Sequence, residues 1–181
     1  MYKVIAIIGQ SGSGKDTVLS KVLETYGNKF NKLIPFTTRP KRPKEVDGEN
    51  YHFISNKKEK ESIMVSEYNN WFYGYNKKDF LEDKINIGVF NLKQIEWMLS
   101  SENKIIELVA IYRIVASDYT ILIRGLDRDK ENAAEMVRRF IADKEEFSKI
   151  NFPYFELINE SGDVFDCAIA IGRPTYIKWN K

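Results

Sequence analysis

The hydrophobic positions fall into runs of two kinds that alternate along the chain. Residues 4–8 (Val-Ile-Ala-Ile-Ile) form an unbroken apolar stretch rich in β-branched side chains, the pattern of a strand buried on both faces of a parallel sheet, and it breaks at Gly9. From Gly14 the apolar residues Val18, Leu19, Val22 and Leu23 recur at helical spacing until Tyr26-Gly27-Asn28 supplies a stop. Further strands are predicted over 32–36, 51–54, 85–90, 105–114 and 155–158. Helices are predicted over 92–99, from Ser117-Asp118 to near Gly125, and over 131–150, where Ala133, Val137, Phe140 and Ile141 share one face. Residues 164–171 fit a helix or a strand. Residues 37–50, with two of the five prolines and Asp47-Gly48, read as an ordered but irregular loop. The lysine- and glutamate-rich stretch 56–61 reads as a solvated helix face. Alternating β and α elements predict an α/β fold.

Composition narrows this picture. A chain of 181 residues with 43% hydrophobic content is enough for one domain with a real core. A net charge of +2 gives no reason to expect a nucleic acid or membrane partner, so any positive site must be local. The single cysteine, Cys167, suits a reducing cytoplasm and a buried structural thiol. The N-terminal apolar run is too short for a signal sequence or a membrane span. The sequence carries no signal for oligomeric state.

Gly9-Gln10-Ser11-Gly12-Ser13-Gly14-Lys15 matches the first seven positions of the P-loop pattern, between a predicted strand and a predicted helix. Small residues there let successive backbone N–H groups turn inward, the helix start adds partial positive charge, and Lys15 can reach the β- and γ-phosphates of ATP. The eighth position departs from the pattern: Asp16 stands where a Ser or Thr would face Mg²⁺, and a hydroxyl follows as Thr17. Asp16 and Thr17 are therefore the candidate metal residues, Asp16 acting directly or through water, with capping of the helix start as its alternative role.

Residues 37–53 place Arg39 and Arg42 on a proline-stiffened loop with Tyr51 near its end, a composition suited to a small phosphate because guanidinium forks bind its oxygens in pairs. This run resembles the acceptor segment T-T-R-x-x-R-x-x-E-x-x-G-x-x-Y-x-F of the guanylate kinase family at every fixed position, and Trp71-Phe72-Tyr73-Gly74 is similar to that family's Tyr-Tyr-Gly. The resemblance implies a three-layer P-loop NTPase fold with a parallel central sheet. Its core would span 1–34 and 89–181, with an inserted monophosphate-binding lobe over 35–88 and a short lid over 124–138. It implies transfer of the γ-phosphate of ATP to a nucleoside monophosphate, with Mg²⁺ as cofactor and small-molecule nucleotides as partners. Arg39, Arg42, Tyr51 and Tyr73 then hold the acceptor phosphate, Glu45 orients their loop, and Arg124, Arg128 and Arg139 close on the ATP phosphates. Lys15, Arg39, Arg128 and Arg139 become the catalytic set. Residues 9 and 11–17, with Arg124 and Asn159, become the ATP site.

The departures from the family cluster at the base. Its three guanine-reading places are here Pro35, Met64 and Tyr75, none of which offers a carboxylate, although a local gap would bring Glu67 into that role. The family's Asp-x-Asp is replaced by Val89 and Asn91, and Asn91 is either an acceptor-side ligand or a residue at the core edge. Two other readings follow: a kinase of another phosphorylated small molecule such as ribose 1,5-bisphosphate, and a non-catalytic interaction module of the kind found in membrane-associated scaffolds.

Overall fold

A computed structural model describes residues 1–42, 45–55, 62–68, 70–128 and 133–173, without the side chain of Arg128. The elements, in chain order, are β1 (Tyr2–Ile8), α1 (Lys15–Tyr26), β2 (Phe30–Lys32), β3 (Phe36–Thr37), β4 (His52–Phe53), β5 (Ser62–Tyr68), β6 (Trp71–Asn76), β7 (Ile85–Val89), α2 (Leu92–Leu99), β8 (Ile106–Val115), α3 (Asp118–Arg128), α4 (Ala133–Phe147), β9 (Phe155–Ile158) and α5 (Val164–Gly172). A five-stranded sheet runs β2-β7-β1-β8-β9, with β2 parallel to β7 and β8 parallel to β9. A four-stranded sheet runs β4-β3-β6-β5. The fold is α/β with a parallel central sheet flanked by helices. Val4 to Ile8 are fully buried, as an unbroken apolar run requires.

Backbone contacts divide the chain into two compact units, residues 1–6 with 29–110 and residues 7–28 with 111–181. The first contains the whole four-stranded sheet. Residues 32–36, predicted as one strand, divide between the two sheets: β2 pairs with β7, while β3 pairs with β4 and β6. Pro35 lies between them and has no N–H to continue a ladder. The β5–β6 hairpin has no counterpart among the predicted strands. Its register shifts between Ile63 and Ser66, and Met64 there has φ +53°, so the period-2 alternation that marks a strand is interrupted.

In the second unit, α3 runs past Gly125 to Arg128 rather than stopping at the glycine. Gly125 is a packing position: a Cβ there would lie 2.2 Å from Met136 Cε on α4. The predicted apolar face of α4 is also corrected. Met136, Asp143 and Phe147 are buried, whereas Val137 and Ile141 are 43% and 61% exposed. A polar residue in the middle of the buried stripe hides that stripe from a hydrophobicity pattern. Residues 164–171 resolve as helix, with Cys167, Ala168, Ile171 and Gly172 facing inward. The Cys167 thiol is buried and donates to the Ile158 carbonyl at 3.2 Å, and burial pushes its pKa up. Residues 56–61 lie outside the described residues, as do Pro43 and Lys44 of the acceptor run and residues 129–132 of the predicted lid. No helix among the described residues is long and apolar enough to cross a membrane.

Candidate active site

The loop 9–14 leaves the end of β1 and enters α1, whose first residue is Lys15. Gly14 precedes the helix at φ +89°, a conformation that a side chain disfavours, and a Cβ there would meet Asn159 Nδ2 at 2.2 Å. Gly9 is fixed by space: a Cβ would lie 2.4 Å from the Ile114 carbonyl oxygen on β8. Gly12 lies against the Ile121 backbone of α3. Ser13 is completely buried, and its Oγ has no hydrogen-bond partner among the described residues. Its carbonyl accepts from Asn159 Nδ2 at 2.7 Å, so Asn159, 1% exposed, is a floor beneath the loop. The Lys15 ammonium folds back to the Gln10 carbonyl at 3.1 Å.

Arg124 of α3 donates to the carbonyls of Asn159 at 3.0 Å and Glu160 at 3.2 Å. The Glu160 carboxylate accepts from the Ser117 N–H and, at 2.5 Å, from Thr120 Oγ1, which fixes the start of α3. Those bonds hold its pKa below the usual carboxylate range, the Thr120 bond first. Arg139 of α4 pairs with Glu135 at 2.7 Å, and Arg138 does the same at 2.7 Å. The Arg138 bond, opposed by burial and helped by Arg139, lowers the Glu135 pKa to about 2. Arg138 is half exposed, as expected of a surface arginine. The Arg128 side chain lies outside what is described.

Asp16 and Thr17 are exposed in the first turn of α1. Successive helical residues point about 100° apart, so one ion would meet only one of them directly and the other through water. Among the described residues no group of three or more His, Cys, Asp or Glu gathers to hold a metal. The donor set suits Mg²⁺, which is commonly held by one or two carboxylates together with substrate phosphates. The cap position of α1 is Gly14, which has no side chain to cap with, and Asp16 is the acid of the first turn.

The acceptor loop belongs to the first unit. Arg39 is 9% exposed, with Nη2 on Glu45 Oε1 at 2.7 Å and Nη1 on its neighbour's carbonyl, Pro40 O, at 2.7 Å. The second Glu45 oxygen accepts the Arg42 N–H at 2.9 Å, so one carboxylate folds the loop around both arginines. The Arg39 guanidinium lies 5.4 Å from the Tyr51 ring centroid and 5.8 Å from that of Phe53, and Tyr51 meets Tyr73 edge-on at 6.1 Å. Thr38 ties this loop to β6 in both directions through Phe72, at 2.9 and 3.1 Å. Burial opposes the charge on both members of the ion pair. The hydrogen bond and charge of Glu45 nevertheless raise the Arg39 pKa, and Arg39 with the Arg42 N–H lowers that of Glu45. The structure therefore brings Arg39, Glu45, Tyr51 and Tyr73 together, with Arg42 joined through its backbone.

The positions that the resemblance aligns with base reading, Pro35, Met64 and Tyr75, carry no carboxylate. Tyr75 is fully buried, donates to the Val89 carbonyl at 2.6 Å and packs its ring 4.8 Å from Phe90. Met64 is 5% exposed in the bulge of β5. Asn91 caps α2: its Oδ1 accepts from the Gln94 N–H at 2.9 Å, Gln94 Oε1 accepts from the Asn91 N–H, and Asn91 Nδ2 donates to Ser66 Oγ at 2.6 Å. Glu67 is exposed on β5 and lines an open groove of about 510 Å³ together with Met64, Lys93, Gln94 and Trp97.

Two acids were not singled out by the sequence, Glu160 and Asp143. Asp143 Oδ2 accepts from the Ser11 N–H of the phosphate loop at 2.6 Å. Its only sequence signal is an acid between the apolar residues that form the inner face of α4.

A profile of the guanylate kinase family matches residues 1–168. The guanylate kinase of Thermotoga maritima is 29% identical over 186 residues, covering 97% of this chain and 88% of its own. That of Wolbachia pipientis wMel is 27% identical over 171 residues, covering 88% and 83%. Disks large homolog 4 of Danio rerio is 39% identical, but over only 35% of this chain and 9% of its own. The crystal structure of guanylate kinase from Anaplasma phagocytophilum shares the fold, with a TM-score of 0.62 and 18% identity over 94% of this chain and 82% of that one. With the phosphate loop and the complete acceptor run in place, the match over nearly the whole length means that this chain belongs to the guanylate kinase family.

Proposed function

We propose that this chain is a guanylate-kinase-type phosphotransferase that moves the γ-phosphate of ATP to a nucleoside monophosphate, GMP or dGMP, with residues 35–88 as the acceptor lobe and 124–138 as the lid. The observation that carries it is the Arg39–Glu45 pair with Tyr51 and Tyr73, a guanidinium fixed in a loop beside two tyrosines, in a chain that also carries the loop 9–15. Cytoplasmic residence belongs to the same reading.

On this reading the loop N–H groups and Lys15 hold the β- and γ-phosphates, and Arg39, Arg42, Tyr51 and Tyr73 hold the acceptor phosphate. No nucleophilic side chain is required, because an acceptor phosphate oxygen attacks in line while cations stabilise the charge that develops on the transferred group. Arg124 and Arg128 in the lid, with Arg139 just beyond it, supply those cations. Asn159 supports the loop, and Asn91 braces the acceptor wall through Ser66. Mg²⁺, held by Asp16 or Thr17, would neutralise phosphate charge when bound.

A second reading rests on Pro35, Met64 and Tyr75: with no carboxylate there to pair with the guanine edge, another small phosphorylated acceptor is the alternative. ATP-dependent phosphorylation is measured across GMP, dGMP, the other monophosphates and ribose 1,5-bisphosphate. Turnover highest with GMP or dGMP supports the first reading, turnover only with the sugar phosphate supports the second, and silence across the panel overturns both.

A further inference from the structure

A carboxylate already meets the phosphate loop. The Ser11 N–H donates to Asp143 Oδ2 at 2.6 Å, joining residues 132 apart in the chain but within one compact unit. Asp143 is 7% exposed and sits on α4 one turn beyond Arg139, on the face that also buries Met136 and Phe147. At the far end of α4, Lys144 pairs with Asp118 at the start of α3, and Met136 packs on Gly125 of α3. Contacts to α3 thus flank the carboxylate on both sides along the helix.

A carboxylate oxygen and a phosphate oxygen make the same demand on a backbone N–H, and a loop of inward-turned amides accepts either. Two anions in one partly buried cradle repel each other far more than they would in water. We propose that Asp143 is a built-in counter-anion of the phosphate loop, holding Ser11 until ATP enters and giving way to it, so that its charge sets the affinity for the donor nucleotide. The inference rests on the assignment of residues 9–15 to the ATP phosphates. It also gives α4 a part in donor binding that its arginine does not cover: nucleotide entry breaks a bond between the loop and the helix that carries Arg139.

The test is isothermal titration of ATP with Mg²⁺ into the wild type, Asp143→Asn and Asp143→Ala, with the melting temperature of each protein recorded without nucleotide. The asparagine keeps an oxygen to accept from Ser11 and removes only the charge. Both variants are expected to bind ATP about tenfold more tightly than wild type, with the alanine variant melting lower and GMP affinity equal in all three. A brace that only shapes the loop gives another pattern, weaker ATP binding in the alanine variant with wild-type affinity restored by asparagine, and that result overturns the proposal. Equal ATP affinity in all three proteins overturns it as well, while leaving the phosphotransferase reading in place. If none of the three folded proteins binds ATP, the donor assignment itself falls and takes this proposal with it.

Discussion

The two segments proposed to bind phosphate each hold a carboxylate, and they differ in where that carboxylate comes from. In the acceptor loop it is Glu45, six residues from Arg39 in the chain, and it is attracted to what it holds: a guanidinium on one oxygen and a backbone N–H on the other. In the donor loop it is Asp143, 132 residues from Ser11, and it touches a backbone N–H of the loop itself. The first arrangement orients a cation and leaves it available to a ligand. The second places like charge where a polyphosphate would go. On the proposed reading, a carboxylate near a phosphate site supports binding when it shares a cation with the ligand and opposes binding when it shares a donor.

The largest effect that would sharpen this contrast is expected at Arg39. Arg39→Lys keeps the charge but loses the planar fork that serves Glu45 and a phosphate together, and kcat/KM for the acceptor should fall about a hundredfold, roughly 3 kcal/mol. Steady-state kinetics at saturating ATP measures it, and a fall of less than threefold would separate Arg39 from the acceptor. A smaller effect is expected at Glu45. Glu45→Gln should raise the acceptor KM about tenfold, since a charge-assisted bond becomes a neutral one, and should leave the ATP affinity unchanged. The sign of the pH dependence follows from the lowered Glu45 pKa. Its stabilising contribution is fully present above the ordinary carboxylate value of 4.5 and is lost as pH falls through the lower folded value. Acid unfolding monitored by circular dichroism should accordingly begin at higher pH in Glu45→Gln than in wild type, and coincident curves would contradict this.

The same distinction between near and far explains what could be read from the chain. The loop 9–15 and the acceptor run are local patterns, and β1, α2 and β9 are uniform apolar or amphipathic segments whose period is intact, so they were legible. The hairpin β5–β6 was not, because Met64 at φ +53° breaks the alternation inside β5. The inner face of α4 is hidden from a hydrophobicity pattern because Asp143 sits between Met136 and Phe147, and its hydrogen bond from the Ser11 N–H comes from far along the chain. The Asn159 amide donates to the Ser13 carbonyl, a pairing that needs the loop and the end of β9 to be folded together. Position alone likewise could not show that Asn91 is a helix cap, since the capping box depends on Gln94 adopting the matching rotamer.

We propose that one chain carries two separate phosphate sites, one for the donor and one for the acceptor. The decisive measurement titrates ATP and GMP separately into the wild type, Lys15→Met and Arg39→Lys, each checked for an unchanged fold. A crossed result is expected, in which Lys15→Met loses most of its ATP affinity and keeps that for GMP, while Arg39→Lys does the reverse. Loss of both ligands from either folded variant, or of neither from both, would contradict it.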